Sequence, residues 1–540
     1  MAVTITDNRT VISTADSNNG WTGSDSVEEF TEQPTPVEGS GCLGLQVSND
    51  QEDAYYTLPG PVDMGGTGTL VYQWVFPRGE MATTANGGIQ LQLGDGTNRI
   101  GFHLAGSDVA PFRHDQGPVG WQCLVLDTGN LPTDFTVLSG SRNNLDLSAI
   151  TQVGVVFTTL VKSVGGVENC FWDISRYGND GLTITGGTAG DPGVFEEIAA
   201  LDRSSEPLRA YGMLRQLGAG VFGLQGPLTF GGSAGEDTYF FDTNTTVVFE
   251  NRNFLDDKYK ITVQGSNTGS TTFRLGVKSG EGDNATGADG CTLQVPTTAS
   301  AAWDATDPDV DDLRIYGTIL TGFREGIAFS SGTNAETHEF MGNTIRLSGQ
   351  VDLGRVITRT GTFTGYSQER AALLWNENID IINCEFTGNN DDINDPAGIE
   401  HPSSAGSPYN YQDLTFAAND FDIFNSSGAE ITVEAGGSSN PSTSRGDPVV
   451  IENVVTLTIT GLQPDSEVRV YRESDGVELG GTESSTETFV LSYDYVGDTD
   501  VFIVVHHLNF RYLRITGVTL TAEDAVLPVQ QQVDRVYNNP

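Results

Sequence analysis

The feature that most constrains this chain is a weak self-repeat between Asp311 and Asn425. Ile315-Tyr316-Gly317, Phe340-Met341-Gly342, Phe363-Thr364-Gly365 and Phe386-Thr387-Gly388 each set an apolar residue two positions before a glycine, at spacings of 25, 23 and 23. A looser copy follows at Phe416-Ala417-Ala418-Asn419. Such a period is too short for a self-sufficient domain, but it suits one coil of a solenoid whose units bury their apolar faces against their neighbours. In the clearest coil, Asn378 to Asn389, Ile379 and Ile381, then Cys384 and Phe386, alternate with polar residues before a Gly-Asn turn. Period-two alternation describes half-buried strands, and glycine and asparagine tolerate the positive φ that corners require. The repeat therefore predicts strand coils over residues 218 to 440, with Phe340, Phe363 and Phe386 in one interior stack.

These coils resemble right-handed parallel β-helices of the pectin-lyase type. Enzymes of that type keep paired carboxylates for acid/base work or metal binding, because two close carboxyls separate their pKa values. Two acidic clusters interrupt the coils here: Asp304, Asp307, Asp309, Asp311 and Asp312, and Asp391, Asp392 and Asp395 with Glu400-His401 close behind. Among 72 acidic residues such clusters arise readily as solvated turns, and that is the expectation for both.

A length of 540 residues with 66 glycines and only 18% charged residues favours three or four domains rich in strands and turns. The formal charge of −45, with lysine only at positions 162, 258, 260 and 278, repels phosphate backbones and excludes nucleic acid as a direct partner. The same composition fits salty surroundings. Cys42, Cys123, Cys170, Cys291 and Cys384 are scattered without metal-ligand spacing, which indicates small buried hydrophobes and no cofactor or metal site. The opening residues show no export-signal pattern and no stretch is long and apolar enough for a membrane span.

Residues 1 to 195 read as a jelly-roll-like sandwich with strands near Leu43–Val47, Ala54–Leu58, Thr69–Phe76, Gly88–Leu93, Ile100–Leu104, Trp121–Leu126, Gln152–Thr159 and Cys170–Ile174. Their order resembles concanavalin A-like domains. A sugar or metal site there would draw on His103, Arg113, His114, Asp115, Trp74, Trp121 and Trp172. Trp74, Trp172 and His103 sit in strand alternations and are read as core, which leaves the loop 112–115 as the better candidate. Residues 196 to 217 form a capping segment, with a short helix expected over Ala199–Leu217.

Gly436 to Pro448, rich in Gly, Ser and Pro, reads as a linker, and its Arg445-Gly446-Asp447 carries no functional weight. Residues 441 to 540 show regular alternation, and Thr458 to Tyr471 resembles the strand-turn-strand of fibronectin-like sandwiches. His506-His507 lie on one strand, where neighbours point to opposite faces, so a shared metal is not expected. This sandwich and its Val529–Pro540 ending resemble the C-terminal region of bacteriophage virion proteins, and 218–300 is similar to the same group.

The resemblance implies an all-β virion protein: a tail fibre, spike or head decoration, assembled in the host cytoplasm as a homotrimer with other virion proteins as partners. Contact with host surface glycans is a further implication. No catalytic, cofactor-binding or metal residue is assigned. Two alternatives stay open, a polysaccharide-degrading tailspike enzyme and a bacterial surface adhesin.

Overall fold

The computed structural model describes residues 3–31, 39–47, 51–65, 69–76, 89–103, 122–158, 168–178, 181–188, 193–195, 214–224, 226–232, 237–249, 260–266, 268–295, 301–330, 337–364, 371–375, 381–390, 395–494, 498–521 and 524–534. The chain is all-β and forms two compact units. The first holds Met1–Ser279, Gly287–Glu339 and Ile345–Gly349, and the second holds Gly280–Thr286, Phe340–Thr344 and Gln350–Pro540. No helix among the described residues is long and apolar enough to cross a membrane.

The first unit opens with a sandwich of two antiparallel six-stranded sheets. One runs Gln122–Asp127, Leu70–Phe76, Glu168–Gly178, Cys42–Val47 and Val27–Phe30, with Thr10–Ser13 also on Glu168–Gly178. The other runs Phe135–Ser139, Arg99–His103, Ile89–Gly94, Ile150–Thr158, Gln51–Val62 and Trp21–Gly23. Leu43, Leu45, Val71 and Val75 of the first sheet meet Leu91, Leu93, Val153 and Phe157 of the second around the fully buried Trp172. All eight strands expected from the sequence are present, and Leu70–Phe76 and Ile89–Gly94 are buried on both faces.

Beyond the sandwich the chain visits three parallel sheets in strict rotation. In the first unit the first face is Leu182–Thr185, Leu228–Phe230, Lys260–Val263, Ala302–Ala305 and Ile327–Phe329. The second face includes Thr238–Asp242, Thr271–Leu275 and Asp312–Tyr316, and the third Val221–Leu224, Thr246–Phe249, Thr292–Gln294 and Ile319–Thr321. In the second unit the rotation continues through Val351–Asp352, Ile357–Arg359 and Thr362–Thr364, then Ala371–Leu374, Ile381–Ile382 and Glu385–Thr387, then Ala397–His401, Tyr409–Gln412 and Thr415–Ala417. A further turn supplies Phe421–Asn425 and Ile431–Gly436.

Corners, rather than strands, carry the repeat. Between the second and third faces stand two residues, the first left-handed: Gly317 (φ +55°), Gly342 (+66°), Thr360 (+52°), Asn383 (+54°) and Asp413 (+53°). Hydrogen bonds run through these corners from coil to coil, as in Thr362 N to Asn343 O at 2.8 Å, Glu385 N to Gly361 O at 2.8 Å and Thr415 N to Cys384 O at 2.9 Å.

The expected three-ring stack holds for two of its rings and fails for the third. Phe363, Phe386 and Phe416 do stack on the third face, with centroids 4.9 and 5.3 Å apart. Phe340 does not join them: it lies on Glu339–Met341 of the second face, and the third-face position of its coil is taken by Ile345 on Thr344–Arg346. Gly317 and Gly342 mark a corner before the third face, whereas Gly388 follows a third-face strand, so the anchors slip phase by one strand.

Two connecting segments also differ from expectation. Of the proposed helix, Ala199–Met213 lies outside the described residues, and Leu214–Gly218 is a strand antiparallel to Val221–Leu224. The proposed linker carries another coil strand, Ser444–Gly446, parallel to Phe421–Asn425. Its polar side chains are occupied: Ser439 Oγ donates to Tyr411 O (3.0 Å), Asn440 Nδ2 to Phe416 O (3.3 Å) and Ser442 Oγ to Asp422 Oδ2 (3.1 Å).

The chain then enters Val449–Thr460, whose first half pairs parallel with Ile431–Gly436 and whose second half pairs antiparallel with Thr488–Asp494 and parallel with Ala525–Pro528. One strand thus belongs to both the coil and the C-terminal sandwich. The facing sheet is Glu478–Thr482, Glu467–Arg472, Thr499–His507 and Phe510–Leu520, and Leu457, Ile459, Val468, Val470, Ile503 and Val505 form the core between them.

Candidate functional site

Alternation along the second face points every other side chain to solvent. In the first unit this exposes a charged ladder. Asp312 accepts from Arg274 Nη2 and from Arg314 Nε at 2.5 Å each; Glu339 Oε1 accepts from Arg314 Nη1 at 2.9 Å and from Lys278 Nζ at 3.1 Å. The Tyr316 hydroxyl donates to Glu339 Oε2 at 2.5 Å. Partial burial disfavours the charged form of both carboxylates. Hydrogen bonds from Arg274 and Arg314 outweigh it at Asp312, and those from Tyr316 and Lys278 outweigh it at Glu339, so both are held below the ordinary carboxylate range. Burial and the same Glu339 contact raise the Tyr316 phenol above its usual value. Two carboxylates thus stay ionised side by side, each compensated by cations, whereas acid/base catalysis by a pair needs their pKa values pushed apart.

The second face of the second unit has a different character. Where its strands meet the C-terminal sandwich a cleft of about 400 Å³ opens between Asn410, Gln412 and Glu434 on one side and Thr456, Tyr493 and Asp524 on the other. Gly436 and Gly437 leave its floor without side chains. Asp524 Oδ1 accepts from Thr456 N at 2.7 Å, Gln412 Nε2 donates to Asp413 Oδ2 at 3.0 Å, and the Tyr493 hydroxyl donates to Thr521 O at 2.9 Å. Neighbouring parallel strands place Asn410, Glu434 and Glu452 in one register row. No lysine or arginine lines this cleft among the described residues.

The acidic positions singled out from sequence separate in space. Asp304 meets Lys260 Nζ at 3.3 Å and accepts from Thr306. Asp307 accepts from Asp309 N within a turn, and Asp311 from Thr271 N across one coil step. Asp391 and Asp392 lie outside the described residues. Glu400 is buried and accepts from Gln350 Nε2 (2.8 Å) and Ser426 Oγ (2.7 Å). His401 is fully buried, bonded through Nε2 to the Tyr411 hydroxyl at 2.7 Å and packed on Trp375 and Tyr409; burial pushes its pKa down to about 3.

In the N-terminal sandwich Trp74 and Trp172 are core, and His103 Nε2 faces Thr136 Oγ1 at 3.0 Å. Arg113, His114, Asp115 and Trp121 lie outside the described residues. Arg445 stacks over Phe424 at 4.2 Å and Asp447 accepts from Gly428 N, so that tripeptide is built into the coil. His507 Nδ1 accepts from Asn509 N, while His506 is exposed with its Nδ1 3.9 Å from Glu467. Cys42, Cys123, Cys291 and Cys384 are buried thiols outside any disulfide. Sequence reasoning missed the cleft, because its walls come from strands far apart in the chain and none of its residues forms a motif.

Neither a family model nor a curated protein matches this chain. Among solved structures, a family 11 carbohydrate-binding module from Clostridium thermocellum in complex with a β-1,3-1,4-mixed-linked tetrasaccharide is 7% identical, spans 31% of this chain and 94% of the module, and has a TM-score of 0.21. The catalytic domain of a GH87 α-1,3-glucanase in complex with tetrasaccharides is 11% identical over 84% of this chain and 76% of that domain, with a TM-score of 0.18. At these scores neither likeness bears on the chemistry of this chain.

Proposed function

We propose that this chain is a non-enzymatic structural protein of a bacteriophage virion, a fibre, spike or decoration, assembled as a homotrimer and displayed where it meets host surface glycans. The observation that carries the reading is the continuity of Val449–Thr460 from coil into sandwich, because a strand hydrogen-bonded into both modules transmits force without a flexible hinge. The strongly acidic, glycine-rich composition and the likeness of the C-terminal sandwich to phage virion proteins support it further. Val490 and Val526, 52% and 69% exposed, flank Thr458 in one register row and offer an apolar strip for symmetry mates.

The test is whether antibodies raised against the recombinant chain label virus particles purified from a lysate of the source culture, with sedimentation giving the trimer mass. Label confined to cell-envelope fractions overturns the virion assignment, and a stable monomer overturns the trimer. The enzymatic reading keeps one handle, the Tyr316–Glu339 contact on the coil surface. A reducing-end assay on host polysaccharides is expected to show no cleavage. Cleavage abolished by Glu339→Gln would establish the enzyme instead.

A further inference from the structure

We infer that the cleft between the second face and the C-terminal sandwich binds an oligosaccharide that is rich in hydroxyls and carries no acidic group. This deepens the glycan contact proposed above and rests on it. Volume comes first: about 400 Å³ equals the liquid volume of about a dozen waters and falls within the range of small-ligand sites.

Chemistry then narrows the ligand. Asn410 offers an amide donor and acceptor, Glu434 and Asp524 offer carboxylate oxygens that take hydroxyl donors, Thr456 adds a hydroxyl, and Tyr493 presents a ring beside them. With carboxylates and no cation in the lining, a phosphate, sulfate or uronate would be repelled. The Asn410 and Glu434 side chains make no hydrogen bond or ion pair with another described group, although Glu434 is half-buried. Glu434 also stands directly beside Glu452 in the parallel register, an arrangement that like charges disfavour. A hydroxyl donor reaching Glu434 stabilises its charge beside Glu452. By contrast, the carboxylates of the first unit's ladder, Asp312 and Glu339, already have cationic partners.

The experiment uses the full chain on an array of neutral and amino-bearing oligosaccharides with their uronate counterparts, followed by titration calorimetry with the best neutral binder. Binding is expected to neutral or amino-bearing sugars only, and to weaken at least tenfold in Glu434→Gln and in Asn410→Ala at unchanged melting temperature. Either variant binding like the parent, equal binding of uronates, or no binding to any neutral or amino-bearing sugar overturns the inference. So does calcium chloride alone titrating into the parent but not into Glu434→Gln, which would make the carboxylate row an ion site. Particle labelling by antibody is read separately, so a virion protein with an empty cleft and a sugar binder that is not virion-borne give different results.

Discussion

At the start of the chain a sandwich is tied to a coil through side chains, whereas near the end a sandwich is tied to a coil through backbone. Thr4–Asp7 lies antiparallel on Leu182–Thr185, the first strand of the first face, and Asp7 at its end accepts from Arg9 Nε (2.8 Å) and Arg176 Nη1 (2.6 Å). Arg176 belongs to Glu168–Gly178, a central strand of the sandwich. All three charges are nearly inaccessible to water, so the tie depends on a complete ion cluster. At the other join the tie is a backbone ladder: Val449–Thr460 passes from one sheet to the other, and Leu457 and Ile459 on its second half are core residues of the sandwich. A side-chain tie fails when one partner is removed, whereas a shared strand fails only with one of the modules it belongs to.

The largest effect is therefore expected at the first join. Asp7→Ala removes the carboxylate that the buried Arg9 and Arg176 share, and breaking a buried ion cluster in this way costs about 3 to 5 kcal/mol. Thermal unfolding of the variant should show the first unit melting early with the second unit unmoved. A loss below about 1 kcal/mol would mean that strand pairing alone holds this join.

Leu457→Ala probes the second join. The side chain is fully buried, so the cavity costs about 3 kcal/mol. Because Leu457 shares its strand with Val449–Asn453, coil and sandwich are expected to lose stability together. Hydrogen exchange at Ile431–Gly436 rising in step with exchange at Thr499–His507 is the sign of that coupling. Acceleration in the sandwich alone would show that the shared strand does not couple them.

Acid distinguishes the joins next. His401 pairs in register with Asn425, which donates to Pro448 O just before the shared strand. Its folded pKa of about 3 lies below the ordinary 6.5, so below pH 6.5 the unfolded chain takes up a proton that the folded chain refuses. Stability is intact above pH 6.5 and declines as pH falls toward 3, by about 2 kcal/mol at pH 5. His103 and His338 in the first unit, also lowered by burial, add contributions of the same sign, so the comparison must be with His401→Phe. That variant should flatten the decline in stability between pH 7 and 5, and an unchanged slope would place the titration elsewhere.

How much of this was legible follows from where the hydrogen bonds go. Both sandwiches show in sequence because their strands are apolar runs or alternations set between turns: Leu70–Phe76 is buried almost throughout, and Thr499–His507 alternates. Coils are harder, because a strand of two or three residues holds one inward side chain and the corner sets the phase. Gly317 and Gly342 announce the corner, but Thr360 occupies the same place, and no propensity singles out a β-branched residue for φ +52°. Its hydroxyl donates to Ala285 O at 2.8 Å, a long-range contact that sequence does not reveal. Residues 436–448 look like a linker for a similar reason: Ser439 and Asn440 are polar because they bond to backbone of the neighbouring coil, and Ser442 because it bonds to the Asp422 carboxylate.

The smallest expected effect is a control at a corner that belongs to neither join. Leu347 follows a third-face strand with φ +49° and is 49% exposed, so it carries left-handed strain while burying only half its surface. Glycine removes about 1 to 2 kcal/mol of that strain, gives back about 0.5 to 1 kcal/mol through the greater freedom of the unfolded chain and loses about 1 kcal/mol of apolar burial. Leu347→Gly should thus leave the first unit within about 0.5 kcal/mol of the parent, read as an almost unmoved denaturation midpoint at unchanged slope. Clear destabilisation instead would show that the buried half of the side chain contributes more than its left-handed backbone costs, and that corners here are selected for contact rather than for backbone geometry. Either outcome leaves the contrast between the joins intact, since Leu347 belongs to neither the Asp7 cluster nor the shared strand.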